Sequence, residues 1–377
     1  MTALNANPDF LAVYDTAIAG LAGQPDDMTL AHTAVLALAR SGATQFAAQE
    51  FARLGLDRVT DDEDVLSLTA RLAKDRALQQ TDPAEVRAGL KHAADLYGQA
   101  YAATGGSYSQ INWLTLQALS GQETEHWRAG VEDLMDALEA QDPVTPTQAY
   151  YCEATRAEAY LLLNQTALAA SHLHKAFSHD PLNYPAHAST LRQFGLIEAN
   201  AGRSDDWLTP LSPPGSVYTC GHIFSKLPPV PVGGVPLETQ ISDLLQGYDL
   251  AFGFGALAAG SDIVLAEAIL SEGGQFCAVL PVDIDRFEAS SVTPAGEDMQ
   301  RRFRACLARA HDVVIAFPDA PWPSRRVNEL TARIAMGKAR LHAGVLQSPV
   351  YQVALADPAD AQSETRNHIQ DWSKTGG

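Results

Sequence analysis

The spacing of apolar residues changes once along this chain, and that change constrains the fold more than any other feature. From Pro8 to about Gly202 apolar residues recur at helical spacing, and no stretch alternates with the period of a strand for more than a few residues. Beyond residue 216, short apolar runs rich in β-branched and aromatic residues alternate with helical segments. The pattern predicts a domain of about nine or ten helices, followed by a sheet with helices on both faces.

The break between the two patterns predicts the domain boundary. The segment RSDDWLTPLSPPGS, from Arg203 to Ser216, interrupts the helical spacing with three prolines and a glycine. We expect a helical-repeat domain over residues 1–203, a linker over 204–215, an α/β domain over 216–357 and a loosely ordered polar tail over 358–377. Two domains also suit a chain of 377 residues, since one hydrophobic core rarely grows beyond roughly 250–300 residues.

Charge and cysteine content narrow the classes of partner. A formal net charge of −19 disfavours nucleic acid and anionic membranes, because both are bound by neutralising phosphate with Lys and Arg. No apolar run approaches the ~18–20 residues that span a bilayer, and no N-terminal stretch combines basic residues with an apolar core, so we expect neither a membrane span nor an export signal. The four cysteines are far apart and lack metal-ligand spacing. We expect a cytoplasmic protein with reduced cysteines and without a metal, nucleic-acid or membrane partner.

The helical half contains an internal repeat. The stretch from Tyr150 to Asn183 spans 34 residues, the length of a tetratricopeptide repeat. A weaker copy begins at Met28, and HAADLYGQAYA repeats the second-helix spacing. An irregular helical bundle with one accidental match is the alternative. Residues of the strongest copy that match the repeat in size and spacing are Ala157, Tyr160, Ala169, Leu173, Ala176 and Pro181.

Stacked helix pairs present a concave surface for binding. The repeat therefore predicts a protein partner that binds through residues 1–203. Self-association of this chain into a homo-oligomer through the same surface is the alternative.

The segments GGSYSQINWLTLQALSG and YYCEATRAEAYLLLNQTALAASHLHKAF carry a family resemblance. They resemble the tetratricopeptide-like, TRAF-binding regulatory region of apoptosis signal-regulating kinases and its bacterial relatives. The resemblance rests on Tyr108, Ile111, Asn112, Glu158 and Ala159. The kinase signatures themselves are missing from this chain. The resemblance therefore implies a scaffold or regulatory role.

The second half predicts a doubly wound, five-stranded and mostly parallel Rossmann-like sheet, so that the whole chain is an α + α/β protein of two domains. In such sheets the ligand lies at the carboxyl ends of the strands. The predicted strands are Ser216–Cys220, Leu250–Gly253, Phe276–Leu280, Val313–Phe317 and Val350–Leu355. The candidate ligand-binding residues at these strand ends and after them are Gly221, Gly253, Gly255, Gly260, Ser261, Asp319, Arg325 and Arg326.

The glycine-rich stretch from Gly253 to Ser261 has the composition of an anion-binding turn. It does not match the dinucleotide fingerprint, because the third glycine comes too late, and it is not a Walker loop, because no Lys-Ser or Lys-Thr follows. Glycines let a backbone approach a ligand, and a helix that begins near Ser261 directs amide groups at it. The alternative is that the glycines serve a tight turn only.

The span from Leu250 to Pro281, together with VNELTARIAMGKARLHAGVLQSPVYQVAL, resembles the SMF/DprA–LOG (SLOG) superfamily of Rossmann-like nucleotide-binding domains. Strand, glycine turn, helix, Gly-Gly and a strand ending in proline occur in the order of that superfamily. The resemblance implies a nucleotide or nucleotide-derived ligand, and it places Glu329 at the ribose-binding or catalytic glutamate. Where the hydrolases of this group carry a Gly-Gly-x-Gly-Thr turn, this chain reads PDAPWPSRRVNE.

Between Arg301 and Leu341 nine basic residues face three acidic ones, which indicates either a site for a small anion or two solvated helix faces. In an enzyme, Glu329 would lie near the ribose, while Arg325 or Arg326 would hold the phosphate. His222 is a candidate general acid, with a structural role as the alternative. The sequence thus favours a regulatory protein that senses a nucleotide-like ligand, over a nucleotide N-glycosidase or nucleoside transferase and over a bare scaffold.

Overall fold

A computed structural model describes residues 9–223, 235–355 and 364–374. The chain divides into two compact units, Met1–Ser212 and Pro213–Gly377. The first unit is helical and the second contains the sheet. The two-part α + α/β architecture is therefore confirmed.

Ten α-helices occur in the described part of the helical unit, within the predicted range. Most of them are followed within a few residues by a partner helix that packs against them, as in α4 with α5 and α8 with α9. The helices are α1 (Phe10–Gly23), α2 (Met28–Arg40), α3 (Thr44–Arg53), α4 (Glu63–Leu78), α5 (Pro83–Thr104), α6 (Ser107–Leu119), α7 (Thr124–Glu139), α8 (Pro146–Leu162), α9 (Thr166–His179) and α10 (Tyr184–Asn200).

Local signals start and stop these helices where the sequence places them. Asp27 caps α2 by accepting hydrogen bonds from the amides of Thr29 and Leu30. Thr145 and Gln148 form a reciprocal capping box at the start of α8. Between α8 and α9 the chain reverses at Asn164, whose φ of 61° is tolerated best by Asn and Gly. The tight reversal sets two antiparallel helices side by side.

The predicted repeat at residues 150–183 forms the helix pair α8–α9. Ala157, Ala169, Leu173 and Ala176 are fully buried, because small side chains let the two backbones approach and Leu173 fills the space between them. The repeat prediction is confirmed here in its packing as well as in its spacing.

The predicted linker carries structure of its own. Residues Asp206–Leu211 form a 3₁₀-helix, and Leu208 is buried against Phe194 and Ile197 of α10. Trp207 donates a 2.8 Å hydrogen bond to Glu198. Because Trp207 and Leu208 both contact α10, the 3₁₀-helix belongs to the helical unit.

The described part of the second unit contains one five-stranded sheet, and its strands pair in parallel. The spatial order is β4-β3-β2-β1-β5. All five predicted strands are present, with ends that differ by one or two residues. The strands are β1 (Gly215–Gly221), β2 (Leu250–Gly255), β3 (Gln275–Leu280), β4 (Asp312–Ile315) and β5 (Val350–Leu355).

Helices cover both faces of the sheet, because each strand carries apolar side chains on both of its faces. On one face Gly253 packs under Ile269 of α12, and α12 also contacts α11 and α14. On the opposite face Phe252 and Phe254 pack on His342 of α15. The helices of this unit are α11 (Leu237–Gly247), α12 (Ser261–Ser271), α13 (Ile284–Ser291), α14 (Glu297–Arg309), α15 (Arg325–Leu346) and α16 (Glu364–Lys374).

The expectation of a loosely ordered tail is wrong for residues 364–374, which form α16. Trp372 of this helix is buried, stacks on Tyr218 at 6.0 Å and lies under the Arg340 guanidinium at 4.1 Å. The helix is polar apart from a few positions, so its order comes from these contacts rather than from an apolar stripe. Residues 358–363 and 375–377 of the predicted tail lie outside the described residues.

Candidate functional site

The structure corrects the placement of two glycines that the sequence puts in the turn after β2. Gly253 lies inside β2 and Gly255 is its last residue. A Cβ on Gly253 would lie 2.5 Å from Ile269 and 2.7 Å from Phe276, so this position is a glycine because α12 and β3 pack closely on it.

Gly255 and Gly221 have the same kind of role. A Cβ on Gly255 would lie 2.3 Å from the Thr219 hydroxyl and 2.7 Å from the Thr219 carbonyl oxygen. On Gly221 it would lie 2.2 Å from the Cβ of Ser261. These glycines allow close packing between β1, β2 and α12, which accounts for them without a ligand.

Within Gly253–Ser261, Gly260 is the position whose backbone conformation requires glycine, since its φ is 102°. It forms a bridge to Ile223, and the Ser261 amide donates a 3.2 Å hydrogen bond to the His222 carbonyl oxygen. The His222 amide donates in turn to Leu355 at 3.1 Å. The structure thus brings the ends of β1 and β5 together with the start of α12.

This is the position at which the strand order reverses. Strands β1 to β4 follow one another across the sheet, whereas β5 lies on the other side of β1. Ligands of open α/β sheets bind in the crevice at such a reversal. The predicted ligand-binding residues Gly221, Gly260 and Ser261 lie here, as does His222, the candidate general acid.

Sequence reasoning missed Asp262 at this position. Its carboxylate is 8% exposed and accepts a 3.3 Å hydrogen bond from the Ala258 amide. Burial raises the pKa of Asp262 to about 7. A buried acid in the first turn of α12 takes the place that an anionic ligand would favour. An Asp in a first helical turn is common, so no signal in the sequence distinguishes it.

The remaining predicted residues lie on or before α15, which covers the other face of the sheet. Arg325 donates a 3.0 Å hydrogen bond to Glu329, so the candidate phosphate ligand and the candidate catalytic acid pair with each other. Asp319 is exposed in the loop after β4. Among the contacts of the described residues, none joins Arg325, Arg326 or Asp319 to the Gly260 turn.

The basic cluster of the second unit is mostly paired within the protein. Arg326 is the exception, since it makes no hydrogen bond or ion pair within the described parts of the chain. This pattern favours the interpretation as solvated and paired helix faces. The pairs are Arg301 with Asp298, Arg302 with Glu267, Arg304 with Glu288, Arg309 with the Leu270 carbonyl, Arg325 with Glu329, Arg333 with Asp371, Lys338 with Asp312 and Arg340 with the Trp372 carbonyl.

A cavity of about 760 Å³ lies in the helical unit. It is lined by α2, α4, α6, α8 and α10, which are the first helices of the successive pairs and the last helix, and by residues 141–144. Among the described side chains, those of the second helices of the pairs do not line it. Because alternate helices of a repeat stack face inward together, several side chains from each of these helices meet in this space.

Four cations line the cavity, and each reaches it from a helix rather than a loop: Arg40 from α2, Arg71 and Lys74 from α4, and Arg192 from α10. The Arg71 Nε lies 3.5 Å from the Asp75 carboxylate. The Lys74 Nζ donates a 3.2 Å hydrogen bond to the neutral amide of Gln193. Arg192 is exposed and makes no ion pair or hydrogen bond within the described residues.

These cations lie partly among protein atoms, and Arg192 is the most exposed of the four. Burial lowers the pKa of Arg40, Lys74 and Arg192, and the charge of Arg71 lowers each of them further. Burial is the largest influence on Arg71 and opposes its charge, but the Asp75 carboxylate together with Tyr108, Tyr97 and Tyr151 outweighs it, so the pKa of Arg71 is raised. The cavity therefore contains four cations that repel one another, together with the carboxylates of Asp64, Asp75, Asp142 and Glu158.

A buried polar network forms one wall. The Glu158 carboxylate accepts hydrogen bonds from the Thr115 hydroxyl at 2.6 Å and from the Gln193 amide at 3.0 Å, and Gln193 accepts from Lys74. Burial raises the pKa of Glu158. The network joins α4, α6, α8 and α10, so a change at Lys74 reaches four helices through direct hydrogen bonds.

Two tyrosines complete the lining. Tyr108 and Tyr151 line the cavity and are each 42% exposed, and burial of the Tyr108 hydroxyl raises the pKa of Tyr108. Tyr151 also interacts with the Arg40 guanidinium. The cavity thus combines aromatic faces and phenol groups with positive charge, which is the usual composition of a small-molecule site.

Four of the five residues that carry the kinase-region resemblance lie in this wall: Tyr108, Ile111, Asn112 and Glu158 line the cavity. The sequence therefore contained a signal for the site, but only through that resemblance. Arg40, Arg71 and Arg192 lie on three separate helices, and nothing in their local sequence indicates that they meet.

Fold and site together define a helical-repeat protein with a Rossmann-like α/β unit in the same chain. A family model described as Tetratricopeptide Repeats-Sensor matches residues 10–117, which span α1 to most of α6. A search of curated proteins found no match, and neither did a search of solved structures. The family match supports the tetratricopeptide-like interpretation of the first unit.

Two further findings concern membrane-spanning helices and metal sites. In the described segments, no helix has the length and apolar character needed to cross a membrane. No cluster of three or more His, Cys, Asp or Glu side chains suited to a metal ion occurs among residues 9–223, 235–355 and 364–374.

Proposed function

We propose that this protein is a regulatory sensor that binds a small ligand in the cavity of its helical unit and passes the bound state to a protein partner through residues 1–203. The cavity of about 760 Å³ carries this proposal. Its volume falls in the range of roughly 300–1,000 Å³ typical of small-molecule pockets. The match to a family described as a sensor agrees with such a role.

Affinity selection with a matched pair of tryptophan variants tests the proposal. Ser189 lines the cavity, whereas Ser178 is exposed on α9 outside it. The protein is incubated with a small-molecule extract of the native cell and filtered, and retained compounds are identified by mass spectrometry. Wild type and Ser178→Trp should retain a compound that Ser189→Trp does not, because the indole fills the cavity. Equal retention by all three proteins, or none by any, would contradict the proposal.

A second candidate function is the binding of a nucleotide-like ligand by the α/β unit. The reversal of strand order between β1 and β5, with Gly260 and Ser261 beside it, favours this function. The buried Asp262 opposes a phosphate at the start of α12, so the ribose or base is the better candidate at that turn. Arg326 is the residue of the basic cluster that makes no ion pair within the described residues, so it is the candidate to bind a phosphate.

A thermal-shift screen of a nucleotide panel, with wild type and Arg326→Ala, tests this second function. A ligand that binds only the folded state raises the melting temperature by mass action. The exposed Arg301, which pairs with Asp298, supplies the control variant Arg301→Ala. A panel without any shift would refute nucleotide binding at this unit.

The enzyme alternative places Glu329 as the acid of a nucleotide N-glycosidase or nucleoside transferase. Its carboxylate accepts a 3.0 Å hydrogen bond from Arg325, and a carboxylate near the ribose would stabilise an oxocarbenium-like state. Chromatography for free base, after incubation of wild type and Glu329→Gln with each hit of the panel, separates enzyme from sensor. Base release by wild type alone would favour the enzyme.

A further inference from the structure

We propose that the ligand of the helical cavity is a small organic phosphate, whose phosphoryl group is bound by Arg40, Arg71 and Lys74 with Arg192 at the rim. This inference rests on the proposed function, since it names the class of ligand for the same cavity. It differs from the nucleotide hypothesis for the α/β unit in both site and residues.

The geometry of α4 places two cations together. Arg71 and Lys74 are three residues apart, so their side chains leave the same face of the helix, and both line the cavity. Arg40 approaches from α2 and Arg192 from α10. Three separate elements thus direct positive charge into one space, which a packed repeat does not require for its own stability.

Four carboxylates, those of Asp64, Asp75, Asp142 and Glu158, also line the cavity, and Asp75 and Glu158 interact with the cations of α4. Asp75 lies 3.5 Å from Arg71, beyond a normal hydrogen bond. Glu158 is occupied by Thr115 and Gln193, and the hydrogen bond of Lys74 goes to an uncharged amide. Arg192 has no ion pair within the described residues. An anion bound among them would relieve the mutual repulsion of the four cations.

A phosphoryl group suits this arrangement better than other anions. Guanidinium groups donate two parallel hydrogen bonds to phosphate oxygens, and a lysine adds a point charge. A doubly charged group also matches several cations better than a single carboxylate does. The net charge of −19 and the size of the cavity disfavour a nucleic-acid polymer. Tyr108 and Tyr151 offer rings and hydroxyls to the organic part of the ligand.

Calorimetric titration of the full chain with matched probes tests the proposal. Each phosphate is paired with its dephosphorylated form: ribose 5-phosphate with ribose, glucose 6-phosphate with glucose, and adenosine 5′-monophosphate with adenosine. Inorganic phosphate and pyrophosphate test the phosphoryl group alone. At least one phosphate should bind, and its dephosphorylated form should bind at least tenfold more weakly.

Arg192→Ala is the main variant, because a side chain without an ion pair can be removed with little effect on folding. It should weaken binding of the phosphate about ten- to a hundredfold, as expected for one lost charge-assisted contact. Lys74→Met should weaken it similarly. The matched control is Arg128→Ala on α7, an exposed arginine that pairs with Glu132 at 3.8 Å and lies outside the cavity.

The outcomes separate the two levels of the proposal. If a compound is retained in a Ser189-dependent manner but binds equally well without phosphate, the ligand class is wrong and the sensor function stands. If no compound depends on Ser189, the sensor function itself is wrong. If the affinity for a phosphate falls in Arg326→Ala and not in Arg192→Ala, the phosphate binds the α/β unit and this inference is overturned.

Discussion

Replacing Asp262 with Asn should stabilise the α/β unit at pH 8 and have little effect at pH 4. The Asp262 carboxylate is 8% exposed, and burial raises its pKa from 3.8 to about 7. In the folded state it therefore holds a proton between about pH 4 and 7 that it has lost in the unfolded chain. Because the folded state binds more protons in this window, the contribution of Asp262 to the free energy of unfolding is greatest below pH 4 and decreases as the pH rises to 7.

The magnitude follows from the width of that window. About three pH units, at about 1.36 kcal/mol for each, correspond to about 4 kcal/mol lost between pH 4 and pH 7. Asn carries no charge at any of these values, and its side-chain oxygen can still accept the hydrogen bond that Ala258 donates. The free energy of unfolding of the variant should therefore lack the decrease between pH 4 and pH 7 that Asp262 causes. At pH 8 it should exceed that of wild type by up to about 4 kcal/mol.

Urea titrations of the full chain at several pH values measure this slope. Pulsed hydrogen exchange and mass spectrometry of peptides from β2 and α12 assign the transition to the α/β unit. Asp285→Asn, an exposed carboxylate in the first turn of α13, controls for the removal of one negative charge. Equal pH slopes in wild type and Asp262→Asn would show that the carboxyl is not protonated in the folded state, and the reasoning would fail.

Three further predictions concern other buried groups. Burial lowers the pKa of His187 to about 4, so the helical unit should lose up to about 3 kcal/mol as the pH falls from 6.5 to 4, and His187→Gln should reduce this loss in melts followed by circular dichroism. Gly255→Ala should destabilise the α/β unit by about 1–3 kcal/mol in urea, with or without ligand, because the added methyl meets Thr219. Burial raises the pKa of Cys220 and Cys306 to about 12, so iodoacetamide should label them in urea and not in the native protein at pH 7.

The sheet could be predicted strand by strand because each strand is a short apolar run between turn residues. The same reasoning misplaced Gly253 and Gly255, since glycines in an apolar run resemble the start of a turn, and only the packing of α12 on β2 explains them. Strand order was also beyond local reasoning. It depends on where α15 carries the chain between β4 and β5.

The candidate site in the helical unit was hardest to predict. Its cations are single residues on helices distant in sequence, and each of them is an ordinary basic residue of an amphipathic helix. Only the stacking of the repeats brings Arg40, Arg71 and Arg192 together. The order of α16 was missed for a similar reason, because Trp372 finds its partners, Tyr218 and Arg340, elsewhere in the unit.

The position of β5 beside β1 has a consequence for how the chain acquires its structure during synthesis. Helix pairs such as α4 with α5 join neighbouring segments, so the helical unit can fold progressively as it leaves the ribosome. Val217 of β1, by contrast, pairs with Tyr351 of β5, at the far end of the unit. One edge of β1 therefore stays open to other strands until residues 350–355 have been made, and nascent chains that stall before that point are the ones most exposed to aggregation and most in need of a chaperone.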